Sequence, residues 1–302
     1  MNAPATQRIL EESPVAEANP NAALLAALAD LRLRTPEEFL ALLDDRKRRE
    51  REWANYSRDR NGYGQGTNEE HQANFKWYST TRRSMEYRNR WLAANVPGKV
   101  FLDYACGDGA ETRKAARMGA ALAIGIDISN VSLRNAREAT KAEDLSETCV
   151  YLEADCENTG LPSDSVDVIL CSYMLHHLDL RHAYPELHRI LKPGGHLLAV
   201  EALDYNPLIR LYRKITPELR TDWEKEHILS HKDVRAARRY FNVGEIRYWH
   251  LTSVLGAFVR SVPRVFPAVM PVLDGLDSLL LKIPGLRLLA WQFSFELRKP
   301  AD

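Results

Sequence analysis

The chain has 302 residues, 45% hydrophobic and 27% charged, which predicts one large or two modest globular domains and excludes disorder over most of its length. Forty-one basic residues balance 41 acidic ones, so the charge does not favour a partner such as nucleic acid. Four cysteines at irregular spacings, without a Cys-x-x-Cys pair, are typical of reduced thiols in a cytoplasmic protein rather than of disulfides or a zinc site.

Residues 1–95 are predicted to form an N-terminal tail, helices and a lid segment. The start, MNAPATQRILEESPVAEANP, lacks the basic and apolar regions of a secretory signal. Leu24, Leu25, Leu28 and Leu31 form one stripe of a first helix, and TPEEFLALLDD begins a second with a capping box. The charge run DDRKRRERE that follows is interpreted as a solvated helix end.

From Lys99 onward, strands and helices alternate, which predicts a parallel sheet covered on both faces. The strands are expected at 99–104, 122–127, 148–153, 165–171 and 196–201, and the helices at 110–119, 130–143 and 182–191. The KPGG stretch is expected to be a tight turn before the fifth strand. Two further strands are expected in EIRYWHLTS and AWQFSFELRKP.

The first strand runs into a corner, VFLDYACGDGAET, that combines an acid with two glycines. Gly107 and Gly109 allow a ligand to approach the backbone, and the following helix offers unpaired N–H groups. A dinucleotide fingerprint would need a third glycine where Thr112 stands, and Asp103 would repel a pyrophosphate. A nicotinamide cofactor is therefore disfavoured.

Acids at three successive strand ends favour a cationic ligand without phosphate. Asp127 ends the second strand, where a carboxylate meets a ribose diol in sheets of this kind, and Asp155 follows the third strand, where it can accept a hydrogen bond from an adenine amino group beside Cys156. S-adenosylmethionine has this chemistry, because it carries an ammonium, a sulfonium and a ribose but no phosphate.

The motifs VFLDYACGDGAET, AIGIDIS, LEADCENTGLPSDSVDVILCSYMLHHLD and ELHRILKPGGHLLAVE, in this order, resemble those of the class I S-adenosylmethionine-dependent methyltransferases, particularly the ubiquinone and menaquinone biosynthesis branch of small-molecule enzymes. The resemblance covers about residues 97–202. It implies an α/β, Rossmann-like, doubly wound seven-stranded sheet with an antiparallel last strand, in a core that spans 96–302 and carries cap insertions at about 204–240 and 254–289.

The resemblance also implies where the cofactor lies. The residues carried over by position are Asp103, Ala105, Cys106, Gly107 and Gly109 at the methionine part, Asp127 and Ile128 at ribose and adenine, Asp155 and Cys156 at the adenine edge, and Cys171 and Ser172 beneath the methionine. In the lid segment, Tyr63 and Trp77 are candidates to cover the sulfonium with their rings, and Arg82 to meet the cofactor carboxylate. Packing of a helix on the edge of the sheet explains the lid residues equally well.

Methyl transfer from a sulfonium is an in-line displacement that depends mainly on positioning. His176 and His177 follow the fourth strand and are candidates for acid–base work, because histidine titrates near neutral pH. A structural hydrogen-bonding role is the alternative for both. Tyr173 and Glu201 are further candidates for lining the pocket, and no metal is expected.

The acceptor is expected to be a small, apolar or natural-product-like molecule, because the segment at 254–289 is dominated by apolar residues. None of its apolar runs is long enough to cross a membrane. A peripheral membrane contact, a homodimer interface and plain core helices stay open as explanations of this segment. Two alternative functions also stay open, a non-catalytic S-adenosylmethionine-binding regulator or scaffold and an arsenite-type methyltransferase that would use its cysteines.

Overall fold

A computed structural model of the protein describes residues 22–59 and 77–301 and contains a seven-stranded mixed sheet. The strands are β1 (Val100–Tyr104), β2 (Leu122–Asp127), β3 (Cys149–Glu153), β4 (Val166–Ser172), β5 (Leu191–Ala202), β6 (Asn242–Trp249) and β7 (Gln292–Arg298). Their order is β3-β2-β1-β4-β5-β7-β6. β1 to β5 pair in parallel, and β7 runs antiparallel to β5 and β6, which confirms the predicted fold class.

Both faces of the sheet are buried under apolar side chains. Leu102 and Tyr104 of β1 belong to one buried cluster, and Phe101 between them belongs to the other. Successive side chains of a strand point to opposite faces, and a parallel strand covered on both faces can be apolar at every position. This explains why the strands read as continuous apolar runs.

The helices of the described residues have the following bounds: α1 (Ala22–Leu33), α2 (Pro36–Ala41), α3 (Asp45–Arg58), α4 (Arg82–Asn95), α5 (Ala110–Arg117), α6 (Asn130–Ala142), α7 (Leu180–Ile190), α8 (Pro207–Ile215), α9 (Asp222–Glu226), α10 (His231–Ala237) and α11 (Val265–Leu280). The predicted core helices agree with α5, α6 and α7 to within two residues. Thr35 and Glu38 form the expected capping box of α2. In α1, Leu24 and Leu28 are buried, whereas Leu25 lies off the stripe and is exposed.

The KPGG stretch is part of β5 instead of a turn before it. The register between β4 and β5 moves from Val166 opposite Leu191 to Val168 opposite His196, so the extra residues form a bulge. Gly194 takes a positive φ of 74° and donates its N–H to the Lys299 carbonyl at 3.0 Å. Pairing with the chain after β7 therefore holds this segment in the sheet.

The order of the strands reverses between β1 and β4, which is where a sheet of this type binds its ligand, beyond the carboxyl ends of the strands. In the chain, α3 precedes the five parallel strands, and α8 and α9 follow them. In the described part of the chain, no helix is both long enough and apolar enough to cross a membrane.

Candidate functional site

The turn from β1 to α5 places Asp103 against the first turn of the helix. Its Oδ2 accepts hydrogen bonds from the backbone N (3.0 Å) and the Oγ1 (2.8 Å) of Thr112. Burial raises the pKa of Asp103 to about 7, against the opposing effect of the Thr112 donors. This carboxyl therefore titrates near neutral pH, and a cationic group beside it would favour its charged form.

The glycines of this turn serve the backbone and the packing. Gly107 and Gly109 have positive φ values of 51° and 68°, and so has Ala105, at 61°. A Cβ on Gly109 would lie 2.6 Å from the Tyr151 ring, whereas one on Gly107 would lie 3.4 Å from the Arg58 guanidinium. The missing side chain of Gly109 thus makes room for Tyr151. Of the two glycines, only Gly107 can owe its missing side chain to the close approach of a ligand.

Asp127, at the end of β2, ties the corner to the neighbouring strand. Its Oδ2 accepts from the Gly107 backbone N at 2.8 Å, and its Oδ1 accepts from the Ser129 backbone N at 2.8 Å. Burial raises its pKa, and these two N–H groups oppose the shift. Ile128 follows, half-buried. Because both carboxylate oxygens already accept backbone bonds, Asp127 shapes the turn as well as offering lone pairs to a ligand.

The charge run at 44–52 forms the start of α3 and pairs with acids at the end of β3 and just after it, so its interpretation as a solvated helix end is wrong. Lys47 Nζ lies 2.7 Å from Asp155 Oδ2, Arg51 lies 2.7 Å from Glu153, and Arg46 lies 2.5 Å from Glu157. The Oδ1 of Asp155 accepts from the Glu157 backbone N at 2.8 Å. These ion pairs form because the acids lie at the edge that α3 crosses.

Three of the four cysteines surround the corner as buried or half-buried thiols. Burial raises the pKa of Cys106, Cys156 and Cys171 well above the usual value. All four cysteines are free. A thiol with a raised pKa stays protonated at neutral pH and is a poor nucleophile, which argues against chemistry on sulfur.

Two of the lid candidates, Arg82 and Trp77, contact the cap. The hydrogen bonds of Arg82 go to Asp274, at 2.6 Å, and to Glu86. The ring of Trp77 packs edge-on against Tyr212 of α8 and Phe258. Neither set of contacts belongs to the corner. Tyr63 lies outside the described residues.

Arg88 reaches the corner from α4, and the sequence reasoning missed it. Its guanidinium donates to Ser172 Oγ at 3.1 Å and pairs with Glu111 at 2.6 Å, and its buried Nε has no hydrogen-bond partner among the described residues. Arg88 shares the buried face of α4 with Ser84 and Leu92. The helical spacing of those residues is the signal that could have placed it.

The residues after β4 and on β5 converge on one carboxylate. Glu201 is fully buried, its Oε1 accepts from the Met174 and Leu175 backbone N at 2.9 and 2.8 Å, and its Oε2 lies 2.7 Å from His176 Nδ1. Glu201 therefore orients the His176 ring.

His177 and Tyr173 stand on either side of His176 in the chain but have other partners. The Nδ1 of His177 lies 3.1 Å from Glu50 Oε2 on α3. Burial alone would lower the pKa of His177, but the hydrogen bond to the Glu50 carboxylate and the other nearby carboxylates raise it. Tyr173 donates its hydroxyl to Gln292 Oε1 at 2.8 Å. Glu50 and Gln292 are further residues of the site that sequence reasoning missed.

The site fits a cationic nucleoside better than a phosphate ligand. Asp103 and Asp127 end neighbouring strands, Asp155 follows the third, and a carboxyl with a pKa of about 7 gains from a positive partner. The buried Nε of Arg88 beside Ser172 is an unused donor for a carboxylate. S-adenosylmethionine carries both kinds of partner.

Comparison with known proteins agrees with this chemistry. Residues 102–199 match the model of a family described as a methyltransferase domain. Over 133 residues the chain is 31% identical to the 2-phytyl-1,4-naphtoquinone methyltransferase of Nostoc punctiforme, a stretch that covers 42% of this chain and 56% of that protein. Over 124 residues it is 27% identical to the cycloartenol-C-24-methyltransferase of Arabidopsis thaliana, covering 40% and 37%. The chain thus spans between 37% and 56% of the length of these relatives.

A solved structure shares the fold over a longer range. The geranyl diphosphate C-methyltransferase of Streptomyces coelicolor A3(2), crystallised with Mg²⁺, geranyl diphosphate and S-adenosyl-L-homocysteine, matches with a TM-score of 0.51 at 15% identity. The match covers 73% of this chain and 80% of that one. At this identity the comparison shows the fold alone.

Proposed function

We propose that this chain, which belongs to the class I S-adenosylmethionine-dependent methyltransferases through its domain at residues 102–199, transfers a methyl group to a small apolar acceptor. The observation that carries the proposal is the pair of acids Asp103 and Asp127 at the ends of two neighbouring strands of that domain. Two such carboxylates favour a positively charged nucleoside over a pyrophosphate, whereas the charge of Asp155 is already matched by Lys47.

The cofactor, when bound, supplies a methyl group already activated on a sulfonium. Asp127 would hold the ribose, Asp155 and Cys156 the adenine edge, and Asp103 the ammonium. Arg88 would pair with the carboxylate, in the role first expected of Arg82. Ala105, Cys106 and Gly107 would line the methionine part from the turn, and Cys171 and Ser172 from the end of β4.

The protein's own work is to position the acceptor and exclude water, which can supply about 7–11 kcal/mol of the barrier. Glu201 holds the His176 ring through Nδ1. The Nε2 of His176 is therefore the nitrogen left to form a hydrogen bond with an acceptor hydroxyl or to take the proton of that hydroxyl. Tyr173, with its hydroxyl held by Gln292, presents its ring as a wall of the pocket. His177, tied to Glu50, fixes the mouth.

The exposed face of α8 supports an apolar acceptor taken from a membrane surface. Leu208, Leu211 and Ile215 lie at i, i+3 and i+7 and are 75%, 55% and 67% exposed. Arg210 and Lys214, also exposed, lie between them. An apolar stripe flanked by cations is typical of a helix that lies in an anionic membrane interface. We also propose that the enzyme works in the cytoplasm, because its cysteines are free thiols.

Methyl transfer is tested with isotopically labelled S-adenosylmethionine and a panel of prenylated quinones, sterols and isoprenoid diphosphates, with products identified by mass. We expect one class of apolar acceptor to gain the labelled methyl group. Cofactor binding by titration without turnover across the panel would favour a scaffold, and turnover that requires arsenite would favour the metalloid enzyme. Absence of cofactor binding would contradict the proposal as a whole.

The membrane contact is tested by sedimentation with vesicles of phosphatidylserine and phosphatidylcholine. Leu211→Asp should reduce binding about tenfold, because it places a charge in the apolar stripe. Leu33→Asp is the control, since Leu33 is 80% exposed at the end of α1, outside the stripe. Equal binding of both variants, or a Leu211→Asp effect on dimerisation in the absence of vesicles, would overturn the membrane assignment.

A further inference from the structure

Three potential metal ligands meet beside the end of β4. His176 and His177 lie on a short 3-10 segment, Leu175–His177, and Glu224 lies on α9. One ring nitrogen of each histidine and one carboxylate oxygen of Glu224 lie within 4.8 Å of one another. His176 is buried and the other two are half-buried, so the group is sheltered but partly open to solvent.

Each imidazole has a carboxylate behind it. Glu201 Oε2 lies 2.7 Å from His176 Nδ1, and Glu50 Oε2 lies 3.1 Å from His177 Nδ1. Glu201 is itself held by two backbone N–H groups. A carboxylate on one ring nitrogen fixes the tautomer and makes the other a better ligand, which is the usual environment of metal-binding histidines. The nitrogen left on each ring is Nε2.

The charges near the cluster leave room for a cation. Two arginines of the described residues near the cluster already have acidic partners. Arg220 Nε lies 3.4 Å from Glu224 Oε1, and Arg46 pairs with Glu157. Within the described residues, the carboxylates of Glu50 and Glu201 form hydrogen bonds with imidazoles and backbone N–H groups. Among the described residues, these two carboxylates therefore stand behind the rings without an arginine or lysine partner, which favours a cation at the cluster.

We propose that His176, His177 and Glu224 form a binding site for one divalent transition-metal ion at the acceptor side of the pocket. Two imidazole nitrogens and one carboxylate oxygen suit ions such as Zn²⁺ or Fe²⁺ and leave further positions open for another ligand. Ligands about 2.1 Å from one ion lie about 3.4 Å apart in tetrahedral geometry. The three ligand atoms lie within 4.8 Å of one another, so they would draw closer together around a bound ion.

The ion would lie beside His176, the residue proposed to meet the acceptor. A metal there would bind an acceptor oxygen and lower the pKa of its hydroxyl, so that the proton could pass to water instead of to His176. No metal is expected from the sequence, and the histidine pair is separated from Glu224 in the chain by α7, β5 and α8. Metal binding can be measured without the methyl donor, so its outcome is independent of the proposed methyl transfer.

The test is titration of the chelator-treated full-length chain with Co²⁺, followed by absorption, and with Zn²⁺, followed by calorimetry. We expect one ion per chain. His176→Ala, His177→Ala and Glu224→Gln should each weaken binding at least about tenfold, and Glu50→Gln should weaken it about 10- to 100-fold through His177. His182→Ala and Glu226→Gln are matched controls, since both residues are exposed and lie outside the cluster.

Controls that bind as tightly as the wild type, with the four variants impaired, would support the site. Binding weaker than about 1 mM in the wild type would overturn it. A control variant impaired as strongly as Glu224→Gln would also overturn it, because surface histidines and acids would then explain the signal. Circular dichroism checks folding, and if His176→Ala does not fold, Glu224→Gln and Glu50→Gln decide.

Discussion

Asp127→Asn should weaken both the fold and the cofactor site, because the carboxylate serves both. Its two oxygens accept from the Gly107 and Ser129 backbone N–H groups. Asparagine has one acceptor oxygen, so one buried N–H loses its partner and faces an amide donor, which costs about 1–3 kcal/mol. The other bond loses its charge, at about 1 kcal/mol. The expected loss of unfolding free energy is therefore about 2–4 kcal/mol.

Urea unfolding at about pH 8 measures the stability, and calorimetric titration with S-adenosylhomocysteine measures the affinity. Loss of one charged hydrogen bond to the ribose should weaken binding about 10- to 100-fold. Asp108→Asn is the control in the same turn. Asp108 lies 3.7 Å from Arg58 in a half-exposed pair, so its substitution should change stability by less than about 0.5 kcal/mol.

An Asp127→Asn protein as stable as the wild type would show that the two backbone bonds contribute nothing. Unchanged affinity for S-adenosylhomocysteine, with stability reduced, would show that Asp127 is part of the turn only. Equal effects of Asp108→Asn and Asp127→Asn would mean that net charge, and not the hydrogen bonds, controls the corner. Any of these results would refute the reasoning from this geometry.

Asp103→Asn should change how stability depends on pH. Burial raises the pKa of Asp103 from 3.8 to about 7, so the protonated form stabilises the fold below pH 3.8, and this stabilisation is lost as the pH rises through about 7. Compared with the wild type in urea unfolding, the variant should therefore be more stable by up to about 4 kcal/mol above pH 7 and equally stable below pH 4. Parallel pH profiles of the two proteins would contradict this. Gly109→Ala should lower the free energy of unfolding by about 2–4 kcal/mol, because the new Cβ would lie 2.6 Å from Tyr151 and the backbone there is left-handed. Adding Tyr151→Leu to this variant should recover part of the loss. If the losses of the two substitutions add instead, the clash is excluded as the cause. Lys47→Met should cost about 2 kcal/mol by leaving Asp155 without its cation, and a thermal midpoint unchanged from the wild type would show that α3 docks by other contacts.

Local sequence was enough to predict the sheet and the corner. Apolar runs bounded by turn residues placed β1 to β4 close to their observed bounds and placed the end of β5, and alternation placed β7. The acids at the strand ends followed from the same reading, because a parallel sheet brings the carboxyl ends of its strands to one edge. These features depend on residues near each other in the chain, so periodicity and turn chemistry are sufficient to find them.

Contacts between distant segments were decided only by the tertiary structure. The charges of α3 looked solvated because their partners, Asp155 and Glu157, lie more than 100 residues away. Arg88 replaced Arg82 at the corner because the buried face of α4 is set by the sheet on which it packs. Glu50 and Glu224 meet the histidine pair from separate helices. A charged side chain stays solvated or becomes part of a site according to which distant group lies opposite it, and that is a property of the packed molecule.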